Sequence, residues 1–171
     1  TDRLSLYYLN LIPRSEHRKL DLKMIGNREI SNGLRKEYFS YYETKKHSLP
    51  KEVTRTIDLI NSLNKNTEVG FRRQNLPALL ANYFFSMRKV FQTYLNLLKP
   101  DSPAYVVVGN NHTFAGGERI DITTDQLLAQ IGESVGLKIE DTIPMEMLAS
   151  RDIFKKNSSS AETIIVFKNA Q

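Results

Sequence analysis

The feature that most constrains the fold is an unbroken apolar run formed by Tyr105, Val106, Val107 and Val108. Pro103 stands before this run and Gly109 follows it, so its length suits a strand better than a helix. A continuous apolar run, without polar alternation, is typical of a strand buried on both faces of a parallel sheet. The run therefore predicts a buried strand in an α/β fold.

The residues after this run continue the pattern of an open α/β sheet. Residues 123–125 give a helix start, apolar residues at helical spacing follow, and Gly136 marks the helix end. Residues 137–143 and 162–168 are then predicted as two further strands. Strand, helix, strand, long loop and strand form the closing half of a sheet of about three strands.

The residues before the run predict helices instead. Pro50 opens one helix, and residues 75–98 form the longest one, with a wide apolar face that predicts burial. Residues 4–12 are dense in apolar side chains and predict a short buried helix that ends at Pro13. We therefore divide the chain into a helical region at residues 1–75 and an α/β region at residues 76–171.

Charge is unevenly distributed between the two parts of the sequence. Residues 1–100 carry 18 Lys and Arg against 9 Asp and Glu, whereas residues 101–171 carry 6 against 10. A basic part is consistent with a polyanionic partner, because Lys and Arg that neutralise phosphates release counterions. A well-solvated helical surface explains the same charge.

The basic part also mixes aromatic and cationic side chains, as in residues 35–46. Such a mixture suits stacking on bases and binding of phosphates, and it equally suits the inner and outer faces of one helix. For Arg151, near a serine-rich segment, a solvated hairpin tip is the alternative to a phosphate contact. The candidate DNA contacts are Arg35, Lys36, Lys45, Lys46, Arg72, Arg73 and Arg151.

Several classes of protein are disfavoured by composition. The chain has no Cys and only three His, so it offers no disulfide framework, no thiol nucleophile and no metal cage. No apolar stretch reaches the roughly 20 residues of a membrane helix. We expect a cytoplasmic protein.

Several short segments, in the order in which they occur along the chain, resemble those of S-adenosylmethionine-dependent DNA amino-methyltransferases. Members of that family modify adenine N6 or cytosine N4. The segments are Leu-Leu-Lys-Pro at residues 97–100, the strand with Asn110 and Asn111, Ser-Val-Gly-Leu at residues 134–137, Ile-Pro at 143–144, Ser-Arg-Asp at 150–152, and the last strand. Residues 3–9 are similar to the segment that follows the family's Ser-Pro-Pro-Tyr motif. The resemblance covers residues 3–12 and 76–168.

The resemblance implies a Rossmann-like sheet of which this chain supplies the last strands, with S-adenosylmethionine at the carboxyl ends of the earlier ones. Asn110 and Asn111 follow the buried strand, where open α/β sheets place ligands, so they are candidates for the donor or base pocket. Plain turn residues are the alternative for both. His112 is more simply a surface loop histidine.

Two parts of the family pattern are missing. The sequence contains no Pro-Pro pair, so the catalytic tetrapeptide is absent, and Gly116 and Gly117 come after the strand in the wrong place for the donor loop. The resemblance therefore implies a C-terminal portion, or one subunit of a split enzyme, that is inactive alone and whose cofactor pocket lies mostly outside this chain. A missing N-terminal half or second subunit is expected to cover the free edge of the strand at residues 105–108.

We therefore expect part of a site-specific DNA methyltransferase, of the kind found in restriction–modification systems, that transfers a methyl group to an exocyclic amine. The alternative is a non-catalytic nucleic-acid-binding or assembly module that retains half of the fold. The sequence does not indicate the target site, nor whether adenine or cytosine is modified.

Overall fold

The computed structural model describes residues 8–27, 30–65, 67–146 and 161–169, in which four α-helices come first and five strands with one further α-helix follow. The helices are α1 (His17–Lys23), α2 (Asn32–Lys45), α3 (Lys51–Lys65), α4 (Phe71–Leu97) and α5 (Thr124–Ser134). The strands are β1 (Pro103–Gly109), β2 (Asn111–Ala115), β3 (Glu118–Ile122), β4 (Leu137–Glu146) and β5 (Ala161–Asn169). The predicted α/β class is confirmed.

The main sheet has three strands in the order β1-β5-β4. The central strand β5 is antiparallel to both of its neighbours, so β1 and β4 run parallel to each other with α5 connecting them. The three predicted strands are therefore confirmed. We expected β1 to pair with parallel neighbours, and this is wrong. Its hydrogen-bonded neighbour is β5, which lies between β1 and β4 and runs antiparallel to both.

The expected burial of β1 on both faces is also wrong within the described chain. Tyr105 and Val107 are 63% and 56% exposed, whereas Ala104, Val106 and Val108 pack against the hydrophobic core. Alternate residues of a strand point to opposite faces, and helices of the described part cover only one face of this sheet. The apolar run thus presents half of its side chains to an uncovered surface.

Residues 111–122, predicted as a glycine-containing loop, form the hairpin of β2 and β3. Gly116 and Gly117 occupy its turn with φ of 59° and 86°. Positive φ at both central residues is the requirement of a type I′ hairpin turn, which favours glycine. At Gly116 the turn also approaches the Leu63 side chain of α3, leaving little space for a β-carbon.

Helix α4 begins at Phe71, four residues before the predicted start at Asn75, and contains Pro77. Proline has no N–H, so the carbonyl of Arg73 lacks its usual helical donor. The Asn64 side chain fills this position, because its Nδ2 donates to the Arg73 carbonyl at 2.8 Å. The C-terminal turn of α3 therefore allows α4 to continue through the proline.

One hydrophobic core joins the helices to the inner face of the sheet. It includes Tyr42 and Ile57 from the helical region, Phe91 of α4, Leu128 of α5 and Phe167 of β5. Helix α4 crosses the position at which we divided the sequence, between residues 75 and 76. That boundary stays a prediction.

The N-terminal apolar segment differs from expectation where the structure describes it. Residues 1–7 lie outside the described residues, but Tyr8, Leu9 and Leu11 are 79%, 67% and 65% exposed. The predicted burial is therefore wrong for these three side chains within this chain. Among the helices of the described residues, none has the length and hydropathy of a membrane span.

Candidate nucleic-acid interface

A groove of about 700 Å³ lies at the carboxyl end of β1, and we name it the strand-end groove. Helix α4 supplies Arg72 and Tyr83 to one wall, and the chain leaving β1 supplies Asn111 and His112 to the other. Leu76, Leu79, Leu80 and Val108 give it an apolar floor. The fold therefore places a predicted DNA contact, Arg72, in the same groove as a predicted pocket residue, Asn111.

The two candidate asparagines have different surroundings. Asn110 Oδ1 accepts a hydrogen bond from the Asp125 backbone N–H at 3.1 Å, so its carboxamide satisfies the first turn of α5. Asn111 lines the groove, and its Oδ1 accepts from the His112 N–H at 2.8 Å. Of the two asparagines, only Asn111 lines the groove, and its side-chain NH₂ is the group that can donate a hydrogen bond to a ligand there.

Tyr83 is a groove residue that sequence reasoning missed. Its spacing in the sequence places it on the buried face of the long helix. Burial raises the pKa of the Tyr83 phenol, so this side chain stays neutral and able to donate a hydrogen bond. The helical spacing of apolar residues in a sequence does not distinguish a tyrosine in the core from a tyrosine that lines a groove. His112 is exposed at the rim, in agreement with the surface interpretation.

The lining of the strand-end groove does not fit S-adenosylmethionine as a whole. Among the described residues that line it, none is Asp or Glu, and Arg72 contributes a positive charge. The donor carries a positive sulfonium and a ribose diol, for which carboxylates are suitable partners. The lining matches an anionic or aromatic ligand better.

A second groove, of about 630 Å³, lies among α2, α3 and α4, and we name it the helical groove. Arg35, Lys36 and Lys65 line it together with Phe39. The Arg35 guanidinium donates to Gln74 Oε1 at 3.0 Å, and Gln74 Nε2 donates to the Val69 carbonyl at 3.0 Å. This chain of hydrogen bonds holds Arg35 at the groove.

The remaining candidate cations are dispersed. Lys46 pairs with Glu43 at 2.9 Å and with Asp58 at 3.8 Å, and its hydrogen bond to Glu43 raises its pKa. Lys45 and Arg73 are exposed. Arg151 lies outside the described residues. Three candidates, Arg35, Lys36 and Arg72, therefore line the two grooves, whereas Lys46 is already engaged by carboxylates.

The described residues contain no group of three or more His, Cys, Asp or Glu that could hold a metal ion.

Comparison with known proteins identifies two relatives. The type II methyltransferase M.AvaI of Nostoc sp. (strain PCC 7120 / SAG 25.82 / UTEX 2576) and that of Anabaena variabilis are each 31% identical to this chain over 134 residues. The match covers 71% of this chain but 27% of either relative, so the chain spans about a quarter of the methyltransferases it matches. No family model matches the chain. The sequence relationship confirms the resemblance to DNA methyltransferases.

Two crystal structures of TTHA0409 from Thermus thermophilus, described as a DNA modification methylase, also match. The S-adenosyl-L-methionine complex aligns with 61% of this chain and 42% of that protein, at 12% identity and a TM-score of 0.45. The selenomethionine derivative aligns with 52% and 37%, at 15% identity and a TM-score of 0.41.

Proposed function

Because this chain is related to a portion of the type II methyltransferase M.AvaI, we propose that it is the C-terminal part of an S-adenosylmethionine-dependent DNA methyltransferase. The reaction is transfer of a methyl group to an exocyclic amine, on adenine or cytosine. The single observation that carries the proposal is the strand-end groove at the carboxyl end of a strand, whose lining includes both Arg72 and Asn111. Open α/β sheets bind ligands at this end of their strands.

The contribution of this chain to DNA binding is electrostatic. Arg72 at the strand-end groove and Arg35 and Lys36 at the helical groove lie on the two sides of the N-terminal half of α4. Cations on both sides of the start of α4, where residues 71–74 are exposed, suit a phosphate backbone that passes over this end of the helix. Arg73, next to Arg72 on α4, is exposed and adds to this positive charge, and Lys45 is exposed at the other end of α2 from Arg35.

The donor pocket and the catalytic tetrapeptide are supplied by another portion of the enzyme. This sequence contains no Pro-Pro pair, and the strand-end groove lacks a carboxylate among its described lining. We place the other portion over the free edge of β1 and the uncovered face that carries Tyr105 and Val107. An apolar face and an unpaired strand edge are both stabilised when another element covers them.

The test is titration of the purified chain with duplex DNA and, separately, with S-adenosylmethionine. We expect DNA to bind with an affinity that falls steeply with salt, with a logarithmic slope of about −3 to −5 for four or five phosphate contacts. We expect no heat from the cofactor. Arg72→Ala should lower the slope by about 1. Arg119→Ala is the matched control, because Arg119 is an exposed arginine that pairs with Asp121 at 2.9 Å on the hairpin.

Three results would contradict parts of this proposal. Binding of S-adenosylmethionine at micromolar concentration would show that this chain builds a donor site. DNA binding without salt dependence would remove the electrostatic interface. Absence of DNA binding at low salt would favour the non-catalytic assembly module, for which the uncovered sheet face is the supporting observation.

A further inference from the structure

Helix α5 is capped by a side chain from outside the helix. Within the described chain its own N-cap residue, Thr123, makes no side-chain hydrogen bond to the first turn. The Asn110 side chain takes this role, because its Oδ1 accepts from the Asp125 backbone N–H at 3.1 Å. The unpaired N–H groups of a first helical turn are stabilised by such acceptors. The chain that leaves β1 is thereby tied to the start of α5.

The Asp125 carboxylate extends this contact to the central strand of the sheet. Its Oδ2 accepts from the Thr163 hydroxyl at 3.0 Å, and its Oδ1 accepts from the Gln126 N–H at 2.8 Å. Thr163 lies on β5, is 9% exposed and is paired with Val108 of β1. Hydrogen bonds to a carboxylate are stronger than those between neutral groups. We name Asn110, Asp125 and Thr163 the junction network, since they join the chain after β1 to α5 and β5.

The elements that the junction network joins also form one wall of the strand-end groove. The end of β1, the residue after the junction and the start of α5 supply this wall through Val108, Gly109, Asn111 and Thr124. Asn111 directly follows Asn110, so its position depends on where the network holds the chain. The Asn111 Oδ1 accepts from the His112 N–H at 2.8 Å, which leaves its side-chain NH₂ for a ligand.

We propose that Thr163 and Asp125 are positioning residues, which act through Asn110 to hold Asn111 at the strand-end groove. Asn111 donates to an acceptor atom of bound DNA, whereas the junction network does not touch the DNA. A junction held in one place spares the ligand the entropy of ordering it, so loosening the network weakens binding. The inference rests on the proposed function for its ligand, and it deepens that function by giving the two asparagines separate roles.

The first experiment titrates variants of the full 171-residue chain with a short DNA duplex at low salt. Thr163→Val replaces the hydroxyl with a methyl group of similar size and should weaken DNA binding about threefold to fivefold. Thr163→Ser keeps the hydroxyl and should retain the affinity of the unchanged chain. Thr142→Val is the matched control, because Thr142 is an exposed strand residue outside the described lining of the groove. Equal losses in Thr163→Val and Thr163→Ser would overturn the role of the hydroxyl.

A double-mutant cycle separates positioning from a general loss of stability. Asn111→Ala alone should weaken DNA binding about fivefold, because it removes the donor. Adding Thr163→Val should then cause no more than about a twofold further loss, since the residue that the network positions is gone. In the Arg72→Ala background the two losses should multiply, because Arg72 lies on α4 and outside the network. Multiplied losses in both backgrounds would overturn the inference.

The NMR signal of the Asn111 side-chain NH₂ tests the same positioning without DNA. Thr163→Val should shift this signal and leave that of the Asn64 NH₂ unchanged, because Asn64 is held by the Arg73 carbonyl at 2.8 Å. An unshifted Asn111 signal would overturn the inference.

The inference and the proposed function fail in different ways. Salt-dependent DNA binding with equal affinity for Thr163→Val and the unchanged chain would overturn the inference and leave the proposed function intact. Absence of DNA binding by the unchanged chain at low salt would contradict the proposed function, and the Asn111 signal would still decide whether the junction network holds this residue.

Discussion

The two faces of the three-stranded sheet have similar apolar composition and different surroundings. On the inner face, Phe167 is fully buried, and its ring lies 5.0 Å from that of Phe91 on α4. On the outer face, Tyr105 and Val107 are more than half exposed, and Ile143 is 40% exposed. The inner face holds this chain together, and the outer face contributes little to its stability until another element covers it.

This difference shows that the apolar sequence of a strand predicts burial without indicating which element covers each of its faces. A strand that is apolar at every position is normal when both faces are covered. In the described chain α4 and α5 cover one face only. The outer side chains are the surface that the proposed other portion would cover, and the following measurements test this difference between the faces.

The largest difference is expected from truncating one aromatic residue on each face. Phe167→Ala should lower the free energy of unfolding by about 3–5 kcal/mol, because it leaves a cavity against Phe91 and α5. Tyr105→Ala, the control on the outer face, should cost less than about 1 kcal/mol, since it removes mainly a cross-strand contact. Urea denaturation of both variants measures the difference. Similar losses would show that the outer face is covered in the isolated chain.

The contact between α5 and the inner face is tight enough to exclude a single methyl group. A β-carbon at Gly132 would overlap the Phe167 ring, whereas one at Gly33, in the first turn of α2, would meet only Ser31 Oγ at 3.8 Å. We expect Gly132→Ala to cost about 1–3 kcal/mol. Gly33→Ala is the matched control and should gain up to about 1 kcal/mol from helix propensity. A neutral Gly132→Ala would mean that this contact is loose.

The sequence predicts those parts of the fold that depend on residues close together in the chain, and it does not predict those that depend on distant residues. The helix α5 followed from its start at residues 123–125 and from Gly136, because caps and turns are local. The position of β5 between β1 and β4 did not follow, since it depends on pairing between residues more than 50 positions apart, such as Val106 and Ile165. The hairpin at Gly116 and Gly117 was within reach, because a Gly-Gly turn is a hairpin signal.

The candidate site was predictable only in part for the same reason. Asn111 was found because it follows a strand, and Arg72 because it is a cation in a basic part of the sequence. That they line one groove depends on the packing of α4 against β1, which no local pattern shows. The hydrogen bond from Asn64 to the Arg73 carbonyl was not predictable, because it depends on Pro77, thirteen residues from Asn64.

The helical layer behind the inner face is also held by a buried polar contact. The Tyr42 hydroxyl donates to Asp58 Oδ1 at 2.9 Å, and Tyr42 is fully buried. Tyr42→Phe should cost about 1–1.5 kcal/mol, because Asp58 loses this donor. Tyr38→Phe, on the same helix and without a described hydroxyl partner, is the control and should cost less than about 0.5 kcal/mol.

The same residue predicts a dependence on pH. Burial, together with the hydrogen bond to Asp58, raises the pKa of Tyr42 from 10.0 in the folded state. Below pH 10 both states keep the phenol neutral. Above it the unfolded chain loses this proton first, so stability falls as pH rises, by up to about 1.4 kcal/mol per pH unit. The decline should be shallower in Tyr42→Phe, and equal slopes would contradict the assignment.

The smallest expected changes in the free energy of unfolding come from valine-to-threonine substitutions, which test the difference between the two faces of the sheet most directly. Val106 and Val107 are neighbours on one strand, and replacing either with Thr changes a methyl group to a hydroxyl of similar size. Val106→Thr places that hydroxyl against the core and should cost about 1–2 kcal/mol. Val107→Thr faces outward and should cost less than about 0.5 kcal/mol. Both are measured by urea denaturation at two protein concentrations. An equal cost for the two variants at low concentration would show that residues of the same chain cover the outer face. A cost of Val107→Thr that appears only at high concentration would show that a second copy covers it, because stabilisation by association grows with protein concentration.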